Sequence, residues 1–168
     1  MNSMRKPKIE KVVVNMGVGE SGEKLEKAEK LLREMTAQNP VRTKAKRTNR
    51  DFHIRKGEPI GVKVTLRKAN AHTFLEKAFD AMEKTLQKKN FDNKGNFAFG
   101  IPEHIDLPGV KYDPKVGIFG MDVAVTLERY GFRIKRRKKE KKAIHHRDYV
   151  SKDEAMSFVK EMYGVRVV

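Results

Sequence analysis

Two motifs and one residue class in this 168-residue sequence could support chemistry, and each names a different partner. Gly17-Val18-Gly19-Glu20-Ser21-Gly22 spells G-x-G-x-x-G, which between a strand and a helix can cradle a dinucleotide pyrophosphate. Such a site also needs an acid about 20 residues on, at the end of a buried strand, to hold the ribose. Asn39 to Lys44 contains no acid, and Glu23 follows Gly22 where a Walker loop needs lysine. The segment therefore reads as a glycine turn that brings backbone amides near phosphate, with no nucleotide cofactor. Lys94-Gly95-Asn96-Phe97-Ala98-Phe99 is similar to the aromatic motif of RNA-recognition modules with one residue inserted. It falls on the fourth expected strand rather than the third, so Phe97 and Phe99 are assigned to the core. His53, His72, His104, His145 and His146 lack metal-ligand spacing and the chain has no cysteine. Metal sites, thiol nucleophiles and disulfides are accordingly not expected.

Charge is the strongest remaining signal. Lys and Arg number 38 against 22 Asp and Glu, a net charge of +16, and 36% of residues are charged where about 25% is usual. Arg42 to Lys56 holds seven Lys or Arg, one Asp and one aromatic residue, and Arg133 to Arg147 holds nine Lys or Arg with one Glu. The second run repels itself too strongly to order without a polyanion. Cations at this density, beside a strand bearing Lys63, Thr65 and Arg67, point to nucleic acid. No apolar run exceeds three residues, whereas a membrane span needs about 20, so a membrane partner is not expected.

The elements that must position these residues follow from periodicity. Ile9 to Met16 reads as a strand; Ser21 can cap a helix with Leu25, Ala28, Leu31, Leu32 and Met35 on its apolar stripe, ended by Asn39-Pro40. Val41, Thr43 and Ala45 alternate with Arg42, Lys44 and Lys46 as a short strand with a cationic face. Arg47 to Gly61 keeps no period and reads as a long basic loop carrying Arg50, Phe52, His53, Arg55 and Lys56. Val62, Val64 and Leu66 point inward from the next strand, Lys63, Thr65 and Arg67 outward. Asn70 can cap a second helix with the stripe Leu75, Ala78, Phe79, Met82 and Leu86. After a turn at Asn90 to Gly95 come strands at Phe97 to Ile101 and Met121 to Leu127, separated by a Pro- and Gly-containing connection. Ser151 and Glu154 form a capping box for a closing helix that Gly164 stops. The order β-α-β-β-α-β, followed by a further strand and helix, predicts an α+β fold: an antiparallel sheet with helices on one face and the other face free to bind.

Asn15-Met16-Gly17-Val18-Gly19-Glu20, Thr43-Lys44-Ala45-Lys46, the run from Ile54 to Arg67 and Lys94-Gly95-Asn96-Phe97 occur in the order found in ribosomal protein five of the large subunit, the universal family that binds 5S rRNA. The sequence resembles that family from Ile9 onward. Gly117 to Asp122 and His146 to Met156 resemble its archaeal and eukaryotic branch. The resemblance implies a non-catalytic, cytoplasmic ribosomal protein whose residues 1–168 form a single rRNA-binding domain, with a basic loop at 47–61 and a basic segment at 133–147. It implies residence in the central protuberance and contacts to 5S rRNA and 23S-type rRNA. Further implied partners are peptidyl-site tRNA, a neighbouring 5S-rRNA-binding protein and a small-subunit head protein across the inter-subunit bridge. The family's RNA-contacting polar residues fall on Asn15, Gln38 and Thr65, and Arg42, Lys44, Lys46, Lys63 and Arg67 are the expected phosphate partners. Arg50, Phe52, His53, Arg55 and Lys56 are the expected tRNA contacts. Asn49-Arg50-Asp51 replaces the small residues that bacterial members carry before the Phe. The alternative reading is a free-standing RNA-recognition module, which needs exposed aromatics on its central strands.

Overall fold

Strict alternation over Val12, Val14 and Met16 makes the first strand amphipathic, and these three side chains are completely buried. In the computed structural model, which describes residues 3–168, this strand is β1 (Lys8–Gly17), and it lies at the centre of the sheet. α1 (Glu23–Thr36), β2 (Val41–Lys44), β3 (Pro59–Leu66), α2 (Lys68–Ala81) and β4 (Thr85–Leu86) follow. β5 (Phe97–Ile101), β6 (Met121–Glu128), α3 (Lys152–Tyr163) and β7 (Arg166–Val167) complete the order. Five strands pair antiparallel in the order β2-β3-β1-β6-β5, while β4 and β7 form a separate parallel pair.

α1 lies against β3 and α2 against β1, on the side to which β1 turns Val12, Val14 and Met16. Leu25, Ala28, Leu31 and Leu32 of α1, and Ala71, Phe74, Leu75, Ala78 and Phe79 of α2, are buried there. Each large side chain removed from water contributes about 1.5–3 kcal/mol to holding the helices in place. Phe97 and Phe99 project into this layer, with ring centroids 6.3 and 5.4 Å from Phe79. The α+β arrangement with helices on one face is the one the periodicity predicts.

Several local expectations are corrected. Gly22, not Ser21, occupies the cap position of α1, because the Ser21 hydroxyl donates to the Glu58 carboxylate at 2.6 Å. α1 ends at Thr36 with Ala37 left-handed, before Asn39-Pro40 is reached. α2 starts at Lys68, since β3 runs straight into it, which leaves Asn70 inside the first turn rather than at the cap. Leu86 lies beyond α2, on β4, where pairing with Val167 carries it into the core.

The capping box at α3 forms as expected: the Ser151 side chain accepts from the Glu154 amide, and Glu154 reaches back to the Ser151 amide. Gly164 ends that helix at φ 65°, a left-handed conformation in which a side chain is strained. His104 is buried in the connection between β5 and β6, with Nδ1 accepting from the Phe119 amide at 3.2 Å. Burial pushes its pKa below the ordinary histidine value, so the ring stays neutral.

Candidate nucleic-acid interface

The sheet face opposite α1 and α2 is built by the alternate residues of the same strands. Cross-strand register sets Lys63 beside Asn15, Asn15 beside Asp122, and Asp122 beside Gly100. One step along, Thr65 neighbours Val13, Val13 neighbours Ala124, and Ala124 neighbours Ala98. Lys11 pairs with Thr126 in the following row, where Arg67 reaches over to bond the Glu10 carbonyl. The result is a floor of small side chains from which Lys63, Asn15, Thr65 and Lys11 project. A large side chain at the centre would hold an RNA surface away from these polar groups, and this floor carries none.

The face closes at its far end through charge pairing. Glu10 and Glu128 have side chains only 12% and 9% exposed, and both are bound by the Arg136 guanidinium. Lys8 adds a second cation to Glu128 at 3.4 Å, and Arg67 a second to Glu10 at 3.6 Å. Buried Phe132 and the turn Phe132–Lys135 bring the chain to this anchor. The start of the 133–147 segment is thus fastened to the sheet without a polyanion, because two sequestered carboxylates offset its charge. Lys138, Lys139, Lys141 and Lys142 stay exposed. Beyond them Tyr149 packs edge-on to Phe132 and lies under the ammonium groups of Lys94 and Lys135, at 5.6 and 5.5 Å from the ring centroid.

The expected loop is a hairpin extension of β2 and β3. β3 begins at Pro59, inside the predicted loop, and backbone bonds join Ala45 to Gly57 and Glu58. A second rung pairs Asn49 with Ile54 in both directions, at 2.8 and 2.9 Å. The Thr48 hydroxyl accepts from the Lys56 amide. Glu58 ties the base down, accepting from the Arg55 amide and from Ser21; these two bonds, the amide's foremost, hold its carboxyl below the usual range. The tip carries Arg50, Phe52 and His53 outward, with Phe52 71% exposed and His53 held at φ 54°. Arg55 and Lys56 are exposed on the returning strand.

The structure does not gather every expected RNA contact on one surface. Asn15, Lys63 and Thr65 share the free face, and Arg67 borders it. Arg42 pairs in register with inward-facing Val62, on the helix side of the sheet, where its Nε lies 2.7 Å from Glu29 of α1. Lys44 sits where β2 shifts register against Pro59, and Lys46 is exposed at the base of the hairpin. Gln38 is half-buried in the turn between α1 and β2. Lys11, Lys94, Arg136 and Asp122 were not anticipated; alternation along β1 and β6 could have exposed Lys11 and Asp122. Among the described residues no group of three metal-ligating side chains occurs, and no helix is long and apolar enough to cross a membrane.

Comparisons with known proteins place the sequence in a family. Residues 2–55 match the family model "Ribosomal protein L5", and residues 59–158 match the model for the C-terminus of the same ribosomal family. The chain belongs to the ribosomal protein L5 family. Proteins called "Large ribosomal subunit protein uL5" from Methanococcus aeolicus, Sulfurisphaera tokodaii and Sulfolobus acidocaldarius are 55%, 54% and 50% identical to it. These alignments cover 98%, 100% and 99% of the chain and 92%, 96% and 94% of the relatives. The chain is an archaeal-type member of the L5 family, in agreement with the resemblance read from its motifs. The two matched segments meet within one sheet, since β1 and β2 of the first pair with β3 and β6 of the second. Membership makes this a structural ribosomal protein rather than an enzyme. The RNA-recognition alternative fails: β5 is an edge strand with Phe97 and Phe99 buried, and only Ala98 and Gly100 reach the free face.

Proposed function

We propose that the chain binds 5S rRNA on the free face of its five-stranded sheet and attaches that RNA to the large subunit in the central protuberance. The observation that carries this reading is the face itself, where Asn15, Thr65, Lys63 and Lys11 stand on a floor of Val13, Ala98, Ala124 and Gly100 while the opposite face is covered by helices. Cations neutralise phosphates and fix affinity; the neutral polar groups replace water at defined RNA atoms and fix register. Gln38, Lys44 and Lys46 extend the surface past the β2 edge, and Arg42 contributes by stiffening β2 against α1. The exposed cations of 133–147 serve 23S-type rRNA. Exposed Tyr112 and Ile118, on the connection between β5 and β6, suit the neighbouring 5S-rRNA-binding protein and the small-subunit head protein. The hairpin tip reaches peptidyl-site tRNA, with Arg50, Arg55 and Lys56 meeting phosphates and Phe52 or His53 packing on the nucleic acid.

Filter binding tests the sheet assignment. Asn15→Ala, Gln38→Ala and Thr65→Ala are each expected to cost about 1–3 kcal/mol on 5S rRNA, by leaving an RNA partner unpaired, with random RNA barely affected. Equal losses on both RNAs would contradict it. Replacing residues 50–56 with Gly/Ser of equal length is expected to preserve folding and 5S rRNA binding while lowering peptidyl-site tRNA retention on reconstituted ribosomes. Unchanged tRNA occupancy would remove the tRNA assignment.

A further inference from the structure

The free face carries three carboxylates, and one differs from the others. Glu10 and Glu128 are bound by Arg136, with Arg67 and Lys8 as additional partners. Asp122 is exposed on β6, and no described residue makes a hydrogen bond or ion pair with its carboxylate. Its row neighbours are Asn15 on β1 and Gly100 on β5. Lys63, one strand beyond Asn15, is two strand spacings away, about 10 Å between backbones, and makes no ion pair with it.

The fold gives no reason for glycine at 100. Its φ is not in the left-handed region, and a Cβ there would lie 3.6 Å from Asp122 Oδ1, an ordinary contact. Glycine therefore leaves an open slot beside an unpaired carboxylate. A negative charge on a surface that meets a polyanion opposes binding by simple Coulomb repulsion, so it is useful only where it meets hydrogen-bond donors. In RNA the Watson–Crick edge of an unpaired guanine presents two adjacent donors, N1–H and N2–H, that match the two oxygens of a carboxylate.

We infer that Asp122, with the slot at Gly100, accepts N1–H and N2–H of one unpaired guanine and is a specificity-determining residue of the face. This rests on the reading that the free face binds 5S rRNA. The slot admits the base edge, while Asn15 beside it hydrogen-bonds the neighbouring RNA atoms.

The test turns on a sign. If Asp122 were only a surface charge, removing it would strengthen binding to every RNA. Asp122→Asn and Asp122→Ala are instead expected to weaken binding to 5S rRNA on the order of tenfold, with binding to random RNA unchanged or tighter. Thermal melts of both variants should match the parent, because no described residue bonds or pairs with the Asp122 carboxylate. Inosine, which lacks N2–H, incorporated at single guanines of 5S rRNA should weaken parent binding at one position and have no further effect on Asp122→Ala. The variant's loss should persist when hexamminecobalt(III), which a carboxylate cannot ligate directly, replaces Mg2+. Tighter binding of both RNAs by Asp122→Asn overturns the inference, as does the absence of any inosine-sensitive position or a loss confined to Mg2+. A parent protein that does not discriminate 5S rRNA from random RNA would instead defeat the underlying reading of the face.

Discussion

The hairpin at 45–58 and the segment at 133–147 have a similar signature in sequence, a run in which cations outnumber acids, and the fold holds them in different ways. The hairpin is carried by backbone: its rungs at Ala45 and Asn49 need no particular side-chain charge, so Arg50, Arg55 and Lys56 are left to solvent or ligand. The other segment is held by electrostatics: Arg136 is committed to Glu10 and Glu128, and Tyr149 shields Lys135 and Lys94 at the opposite end. A count of basic residues therefore says how much polyanion affinity a surface can have, and pairing with acids decides which cations supply it.

Breaking each anchor should separate the two most clearly. Arg136→Ala leaves two poorly hydrated carboxylates with only Lys8 and Arg67 in reach, and is expected to cost about 1–3 kcal/mol in urea unfolding. Proteolysis within 133–147 should accelerate with it. Arg55→Ala, by the same measurement, should stay within about 0.5 kcal/mol. A large effect at Arg55 and none at Arg136 would reverse the comparison.

For the hairpin the sensitive position is backbone. Gly57 sits at φ 90°, and its amide donates to the Ala45 carbonyl at 2.9 Å. Gly57→Ala should cost about 1 kcal/mol by forcing a side chain into that conformation, and should raise amide exchange at Ala45 and Ile54 while leaving 133–147 unchanged.

Acid titration probes the far end of the basic segment, where Glu154 caps α3 and bonds Arg129 at 2.6 Å. Burial opposes its ionisation, but the Ser151 amide, Arg129 and the Ser151 hydroxyl outweigh that and hold its pKa below 4.5. The unfolded chain binds the proton first, so this stability is present above about pH 4.5 and lost as pH falls through the lower folded value. Glu154→Gln should lower stability by about 0.5–1 kcal/mol at pH 7 and flatten the acid limb below 4.5. His104 acts in a separate window: neutral in the fold with a depressed pKa, it withdraws stability as pH drops below about 6.5. The smallest effect should be Ser21→Ala, a few-fold faster amide exchange at Arg55 as the hairpin base loosens.

The parts of the fold legible in sequence are those with an uninterrupted period. Val12, Val14 and Met16, then Val62, Val64 and Leu66, and Phe97, Phe99 and Ile101 announce both the strands and the buried side of each. Where two candidates compete for one role, local pattern fails. Ser21 resembles a helix cap, but Glu58, distant in sequence, takes its hydroxyl; Leu86 continues a helical stripe, but pairing with β7 draws it into a strand. The candidate interface is half legible for the same reason. Thr65 and Lys63 can be placed by alternation within β3, whereas Arg42 reads as an RNA contact until register with Val62 puts it on the helix side. The row that sets Asp122 beside Asn15 and Gly100, and the pin of Arg136 on β1 and β6, depend on strand order, which no single strand reveals.

The most direct measurement of the central claim, that the free sheet face carries the RNA, uses the absence of cysteine from the chain. Single substitutions Lys63→Cys and Ala98→Cys on that face, and Lys30→Cys on exposed α1, can each carry one photo-crosslinker without competing thiols. In complexes with 5S rRNA, crosslinks are expected from positions 63 and 98 to the same RNA region and none from position 30. Crosslinks from position 30 with none from 63 or 98 would contradict it.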